Sequence, residues 1–234
     1  MANSDHYPFQ AHILQLEQDG FLTRTFRRLD PERQQAVIDA ILDEAIDKGP
    51  ARINIKRVAA RAGISVGSLY QYFHNRAGLL DFAIALTVRW TTASLNQYRD
   101  ALAALPLREA LLAYVMGGLE WSKEQAAFMQ FFARAAYHGE TPLSQSLVRP
   151  IAKVLREMIN EMLIQAAKRG EIRKGVDLEA VHRVIYALTI AIADSQLLPY
   201  LNNYFQVTDR KMSVNRTLEA MVDLILQGIG SPKK

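Results

Sequence analysis

The stretch from Asn54 to Phe73, Asn-Ile-Lys-Arg-Val-Ala-Ala-Arg-Ala-Gly-Ile-Ser-Val-Gly-Ser-Leu-Tyr-Gln-Tyr-Phe, constrains the fold more than any other part of the chain. It holds two short helical patterns, from Asn54 to Gly63 and from Ser65 to Phe73, on either side of a very short break. Helices that cross steeply through such a turn need a small residue at the contact, which Ala59 supplies. They also need a corner residue that tolerates positive φ, which Gly63 supplies. Ile64 then fills the core below the turn, Ser65 caps the next helix, and Val58, Ala62, Leu69 and Phe73 face Ile38, Leu42 and Ile46 of the preceding helix. Val66, Gly67, Ser68, Gln71 and Tyr72 are left facing outward. A helix with a small, polar first turn of this kind suits entry into a DNA major groove, and Lys56 and Arg57 stand ready for phosphates or a guanine edge.

The remaining pattern is helical throughout, so the expected fold class is all-α. Asp30 followed by Pro31 starts a helix that carries Val37, Ile38, Ile41, Leu42, Ala45 and Ile46 on one side and ends at Lys48 and Gly49. A further helix begins near Asn75 and runs towards Arg99, long enough to join two domains, with the boundary placed near Thr87. Helices are then expected over 107–121, 124–137, 144–169, 177–197 and 213–227, with a kink or delayed start at Pro150. The division predicted is an N-terminal extension over 1–29, a helix-turn-helix domain over 30–86, an effector-binding and dimerisation domain over 87–230 and a disordered tail over 231–234. One short helix is expected in the extension, around Gln10 to Gln18, where Ile13, Leu14 and Leu16 can sit on something larger.

Half of the 234 residues are hydrophobic, enough for a sizeable core. The absence of cysteine excludes disulfides, thiolate metal sites and cysteine nucleophiles, and fits a cytoplasmic protein. No secretion signal is legible at the N-terminus, and the longest apolar run, Val184 to Ala193, is too short to cross a bilayer, so no membrane partner is expected. The net charge of +4 is less informative than its distribution: between Pro50 and Leu80 the chain has Arg52, Lys56, Arg57, Arg61 and Arg76 and no acid. Those cations would also suit a solvated face of an ordinary bundle, and the missing acids argue against that reading. Arg24, Arg27 and Arg28 are either an arm reaching phosphates or the minor groove, or a plain basic loop.

The run Ile-Lys-Arg-Val-Ala-Ala-Arg-Ala-Gly-Ile-Ser-Val-Gly-Ser-Leu-Tyr-Gln-Tyr-Phe-His-Asn-Arg-Ala-Gly-Leu-Leu resembles the DNA-binding signature of the TetR family of transcriptional regulators, over about Asp30 to Leu80. The resemblance implies phosphate contacts from Tyr70, Tyr72 and Arg76, and base-edge contacts from Lys56, Val66, Gly67, Ser68 and Gln71. Three positions depart from the usual pattern: Arg76 for Lys, Tyr72 for His, and Asn54 for Thr at a helix start, another good cap. The resemblance further implies a repressor that binds a palindromic site in double-stranded DNA as a homodimer and is released by a small-molecule effector, with no enzymatic activity.

The helix around Val184 to Ala193 is apolar on nearly every side and must be covered on more than one, either by a second subunit or by a fully intramolecular core. By the same resemblance it pairs with the last helix and their copies in a second subunit, through Val184, Leu188, Ile192, Leu218, Met221, Val222 and Ile225. An effector cavity is expected among Trp90, Tyr114, Trp121, Phe128, Phe131, Phe132, Met158 and Tyr186, a lining suited to an apolar or aromatic molecule. The rival class is a metal protein. Glu179 and His182 form one Glu-x-x-His, but a carboxylate-bridged site needs a second copy, and no phosphate loop or nucleophile elbow is present, so neither metal nor cofactor is expected.

Overall fold

The computed structural model describes residues 9–49, 52–138 and 141–231; within them the chain is helical, with no β-strand and a single isolated antiparallel bridge, Ile172 to Gly230. The helices are α1 (Gln10–Gln18), α2 (Arg24–Arg27), α3 (Pro31–Lys48), α4 (Ile55–Arg61), α5 (Val66–Phe73), α6 (Arg76–Ala104), α7 (Leu107–Leu112), α8 (Gly118–Glu124), α9 (Ala126–His138), α10 (Thr141–Leu143), α11 (Arg149–Lys168), α12 (Leu178–Leu197), α13 (Asn202–Phe205) and α14 (Val214–Ile229). Wide π-helical turns at Ala113–Gly117 and Ser144–Val148 join α7 to α8 and α10 to α11. The second of these lies immediately before Pro150. The α-helix expected from residue 144 thus starts only at Arg149, and the widened turn before it accommodates a ring that cannot donate a backbone hydrogen bond.

Local caps set the element ends. The Asp30 carboxylate accepts from the Arg33 amide at 2.9 Å, Pro31 fills the first helical position of α3, and Gly49 closes it at φ +89°. Ser213 and Asp177 cap α14 and α12 in the same way. α2, α13 and the 3-10 turn Pro199–Leu201 are additional to the sequence expectation; they are too short for periodicity to reveal.

The chain divides into two compact units. The first comprises Met1–Ala93 with Ala127–Ile151, the second Ser94–Ala126 with Ala152–Lys234, so the division inside α6 lies after Ala93 rather than near Thr87. In the first unit α1 and α2 are part of the core, with Phe9, Ile13, Leu16, Leu22 and Phe26 buried beside Ile38, Ile41, Leu42, Phe73, Leu79 and Phe82. Leu14 departs from expectation: it is exposed, because Ile13 and Leu16 turn the opposite side of α1 inward.

The second unit packs around Leu107, Leu111, Ile159, Met162, Leu163, Ile185, Ile192, Leu218, Met221 and Val222. Four residues expected at a dimer face, Ile192, Leu218, Met221 and Val222, thus belong to this unit's own core. The reason is helical spacing: Leu218, Met221 and Val222 share one stripe of α14, which faces α7 and the turn after it. Ile225 is half-buried against the same core. Val184 and Leu188 do remain outward, 59% and 43% exposed, and Leu224 joins them at 69%. Ser231, expected in a disordered tail, is held by two hydrogen bonds of 2.8 Å to the carbonyls of Glu171 and Gly170; residues 232–234 lie outside the described residues. Among the described residues no single helix is long and apolar enough to cross a membrane.

Candidate nucleic-acid interface

α4 and α5 meet at a tight corner. The Asn54 side-chain oxygen accepts from the amides of Lys56 and Arg57 at 3.0 and 3.4 Å, Gly63 turns the chain at φ +65°, and Ile64 donates back to the Ala59 carbonyl at 3.0 Å. Only a residue without Cβ adopts that φ at no cost. Ser65 then opens α5, its hydroxyl accepting from the Ser68 amide at 3.0 Å and lying 2.9 Å from the Ser68 hydroxyl. Val58, Ala59, Leu69 and Phe73 are buried between the helices, whereas Ile64 is only half-buried.

Gly67, Tyr70 and Gln71 are exposed on α5, and Val66 and Ser68 partly so. Tyr72 is not on that face. It is 8% exposed, and its ring meets Phe26 edge-on at 5.6 Å between centroids, so the expectation of an outward Tyr72 is corrected. The cause is α2, whose Phe26 occupies the space that an exposed Tyr72 would border.

The exit from α5 is strained. His74 adopts φ +62° and ψ −50°, and the Asn75 amide donates to the Phe73 carbonyl at 2.7 Å, a γ-turn of the rare hand. The turn brings the Phe73 carbonyl so close to α6 that a Cβ on Gly78 would lie 2.3 Å from its oxygen. Gly78 is thus required by the fold, a role that motif reading missed; its only sequence signal is a glycine in the first turn of a long helix. Gly67 differs. A Cβ there would meet only the Ser65 hydroxyl at 3.5 Å, an ordinary contact, so its small size is left for something outside the protein to use.

Structure also sorts the cations. Arg57 is 3.0 Å from the buried Glu44 carboxylate, and Arg61 pairs with Asp47 and reaches Glu44 at 3.8 Å. The Arg61 hydrogen bond holds the Asp47 carboxyl below its usual range against the opposing effect of desolvation, with the charges of Arg61, Arg57 and Lys48 adding to it. The acids of α3 therefore engage two of the five cations that the acid-free segment contributes. Arg76, at the start of α6, donates from Nε to the Ile53 carbonyl at 2.8 Å, which orients it beside the α4 entrance. Lys56 and Arg52 are exposed, with no ion pair among the described residues.

Residues 37–82 match the family model described as "Bacterial regulatory proteins, tetR family". Over that segment the chain is similar to the DNA-binding region of TetR-family regulators. Among curated relatives, the HTH-type transcriptional regulator BetI of Cronobacter sakazakii is 36% identical over 109 residues, covering 44% of this chain and 50% of that protein. The chain thus spans about half the length of the curated relatives it matches. Two solved structures share the fold of this chain. A TetR family transcriptional regulator from Chloroflexus aurantiacus is 18% identical with a TM-score of 0.64, over 91% of this chain and 100% of that one. The regulator FadR from Bacillus subtilis, solved in complex with stearoyl-CoA, is 18% identical with a TM-score of 0.54, over 86% and 99%.

The residues expected at an effector site are split between the two units. Trp90, Phe128, Phe131 and Phe132 are buried in the first, where Trp90 stacks on Phe128 at 4.7 Å. Tyr114, Trp121, Met158 and Tyr186 lie in the second. There burial, and next the neighbouring Tyr186, push the Tyr114 hydroxyl well up, although a hydrogen bond with Thr189 opposes this. Burial, then the charge of Asp194, push Tyr186 up to about 12 against the pull of Arg156. Both phenols remain protonated at any ordinary pH. Glu179 and His182 lie close, with His182 Nδ1 3.7 Å from a Glu179 oxygen, but Glu179 is exposed and bonded to Arg183 at 2.6 Å, whereas His182 is buried with Nδ1 3.2 Å from the Leu178 carbonyl.

Proposed function

We propose that this chain is a DNA-binding transcriptional regulator, a repressor that binds a palindromic operator as a homodimer and leaves it when a small molecule binds. The observation that carries the reading is the outward face of α5, where a glycine that the fold does not require stands with Ser68, Tyr70 and Gln71 beside Lys56 and Arg76. Gly67 permits close approach to base edges, Ser68 and Gln71 offer donors and acceptors, and Tyr70, Lys56 and Arg76 suit phosphates. Arg57 shares its charge between Glu44 and the duplex, and Asn54 and Val66 shape the entrance.

The exposed apolar residues Val184, Leu188 and Leu224 are the face proposed for the second copy, since large apolar side chains on two helices of one unit favour a covering partner. Two heads related by a two-fold axis read an inverted repeat. For the effector, the first unit offers the Trp90–Phe128 stack and, next in sequence, the buried Thr91 hydroxyl, which has no hydrogen-bond partner among the described residues. The second offers the Tyr114 and Tyr186 phenols. Both sets suit an apolar or aromatic molecule with one polar group.

Selection of binding sites from random duplex DNA with the full chain tests the proposal. Enrichment of an inverted repeat, abolished by Gly67→Glu, is the expected result. No enrichment and no binding to duplex even at low salt would overturn it.

A further inference from the structure

The last four carbonyls of a helix have no partner within it. In α5 the Tyr70 and Phe73 carbonyls are taken by the amides of His74 and Asn75, at 2.9 and 2.7 Å. The other two are taken by one residue from far upstream. Thr23 donates from Oγ1 to the Gln71 carbonyl at 2.7 Å and from its amide to the Tyr72 carbonyl at 3.0 Å. Thr23 is the residue that opens α2.

α2 is fixed from other sides as well. Phe26 is fully buried, with its ring 5.6, 5.1 and 5.5 Å from those of Tyr72, Phe73 and Phe82. Gln34 donates from its side chain to the Phe26 and Arg27 carbonyls at 3.2 and 3.0 Å, and Arg27 pairs with Glu17. Arg24 and Arg28 remain. They are four residues apart, so they share one side of the turn, and both are exposed with no ion pair among the described residues. One turn of helix therefore buries a phenylalanine and presents two arginines.

Resting on the reading of α5 as the groove-entering helix, we propose that α2 is a second DNA-contacting element, in which Arg24 and Arg28 bind phosphates beside the stretch that α5 reads. The placement favours duplex DNA because Thr23 ties α2 to the Gln71 and Tyr72 carbonyls at the end of α5, the helix that carries the exposed Tyr70 and Gln71. Arg27, turned to Glu17, takes no part. These arginines read no base, so they raise affinity and widen the footprint without altering the preferred sequence.

The test uses the full chain and a duplex carrying the inverted repeat that the unmodified protein enriches. The double variant Arg24→Gln/Arg28→Gln is titrated against it over a range of salt, with Arg24→Lys/Arg28→Lys and Lys56→Gln alongside. The Gln pair should bind about tenfold more weakly, with a log–log salt slope shallower by about 0.9 for each phosphate no longer neutralised. The enriched sequence should be unchanged, hydroxyl-radical protection should shrink at the flanks, and the Lys pair should recover most of the slope. A Gln pair that binds with unmodified affinity and slope, while Lys56→Gln is weakened, overturns this proposal and leaves the reading of α5 standing. Weakening by the Gln and Lys pairs alike with an unchanged slope also overturns it, since the effect would then be structural. Failure of the unmodified chain to bind any duplex removes the reading of α5 itself.

Discussion

α5 in the first unit and α12 in the second each bury one face and expose another, yet they differ in how their faces are assigned. α5 has eight residues between the Ser65 cap and the γ-turn at His74, so its phase is set from both ends by neighbours within a few positions. α12 has 20 residues and is apolar on nearly every side. Nothing local decides that Ile185 and Ile192 face the core while Val184 and Leu188 face solvent; α14 and the residues packed with it decide. Short-range hydrogen-bond chemistry thus gives a helix its orientation at once, whereas an all-round apolar helix acquires one only through distant partners.

The sharpest way to break this comparison is to remove a long-range support on which the outlook of α5 also depends. Phe26→Ala should cost about 3–5 kcal/mol of stability, because a fully buried aromatic ring set among Tyr72, Phe73 and Phe82 leaves a cavity. Chemical denaturation measures it. A cost under about 1 kcal/mol would mean that residues 9–28 are not part of the first unit's core.

Gly78→Ala should come next, at about 2 kcal/mol or more, since its Cβ would press on a backbone oxygen that is already used in the γ-turn. Gly67→Ala, in the first turn of α5, should instead stabilise by up to about 1 kcal/mol while weakening DNA binding. Melting curves and duplex titrations of the two variants separate a glycine that serves the fold from one that serves a partner. If both lower the melting temperature equally, the distinction fails.

This pair also marks what is legible in the sequence. The boundaries of α3, α4 and α5 follow from Asp30, Pro31, Gly49, Asn54 and Ser65, whose cap and turn chemistry involves residues a few positions away. So do Gly67 and Gln71 as outward residues, whereas Tyr70 is marked only by the family resemblance. Tyr72 escapes such reading because its neighbour, Phe26, is 46 positions upstream, on a four-residue helix that no periodicity can announce. Arg57 reads as free because the acids that hold it belong to α3. In the second unit the apolar stripe of α14 is visible, but a stripe does not say whether it meets its own chain or a copy. Leu218, Met221 and Val222 meet their own.

Association should respond to the residues left outside. Val184→Asp and Leu224→Asp change fold stability by no more than about 0.5 kcal/mol, because exposed positions away from caps and turns tolerate substitution. Sedimentation equilibrium should nevertheless show the double variant shifted towards monomer. An unchanged mass distribution would exclude this face as the contact between copies and would make α12 and α14 as self-sufficient as α5.

The smallest effect expected is on acidification, and it sets one unit against the other. Asp19 and Glu179 are both exposed carboxyls held below their usual range, Asp19 chiefly by the Arg89 hydrogen bond and Glu179 chiefly by that of Arg183. A carboxyl with a lowered folded pKa contributes its stability above the unfolded value of about 3.9, and loses it as pH falls through the lowered value. The consequences differ by topology. Arg183 is four residues from Glu179 on the same helix, so losing that pair leaves α12 where it is. Arg89 is on α6, 70 positions from Asp19, and ties the end of α1 to it. Amide exchange below about pH 4 should therefore quicken in residues 9–28 before it changes in α12, and added salt should imitate the effect by screening. Simultaneous loss of protection in both would show that α1 and α2 are held by Phe26 and Thr23 alone, with the Asp19 pair adding nothing.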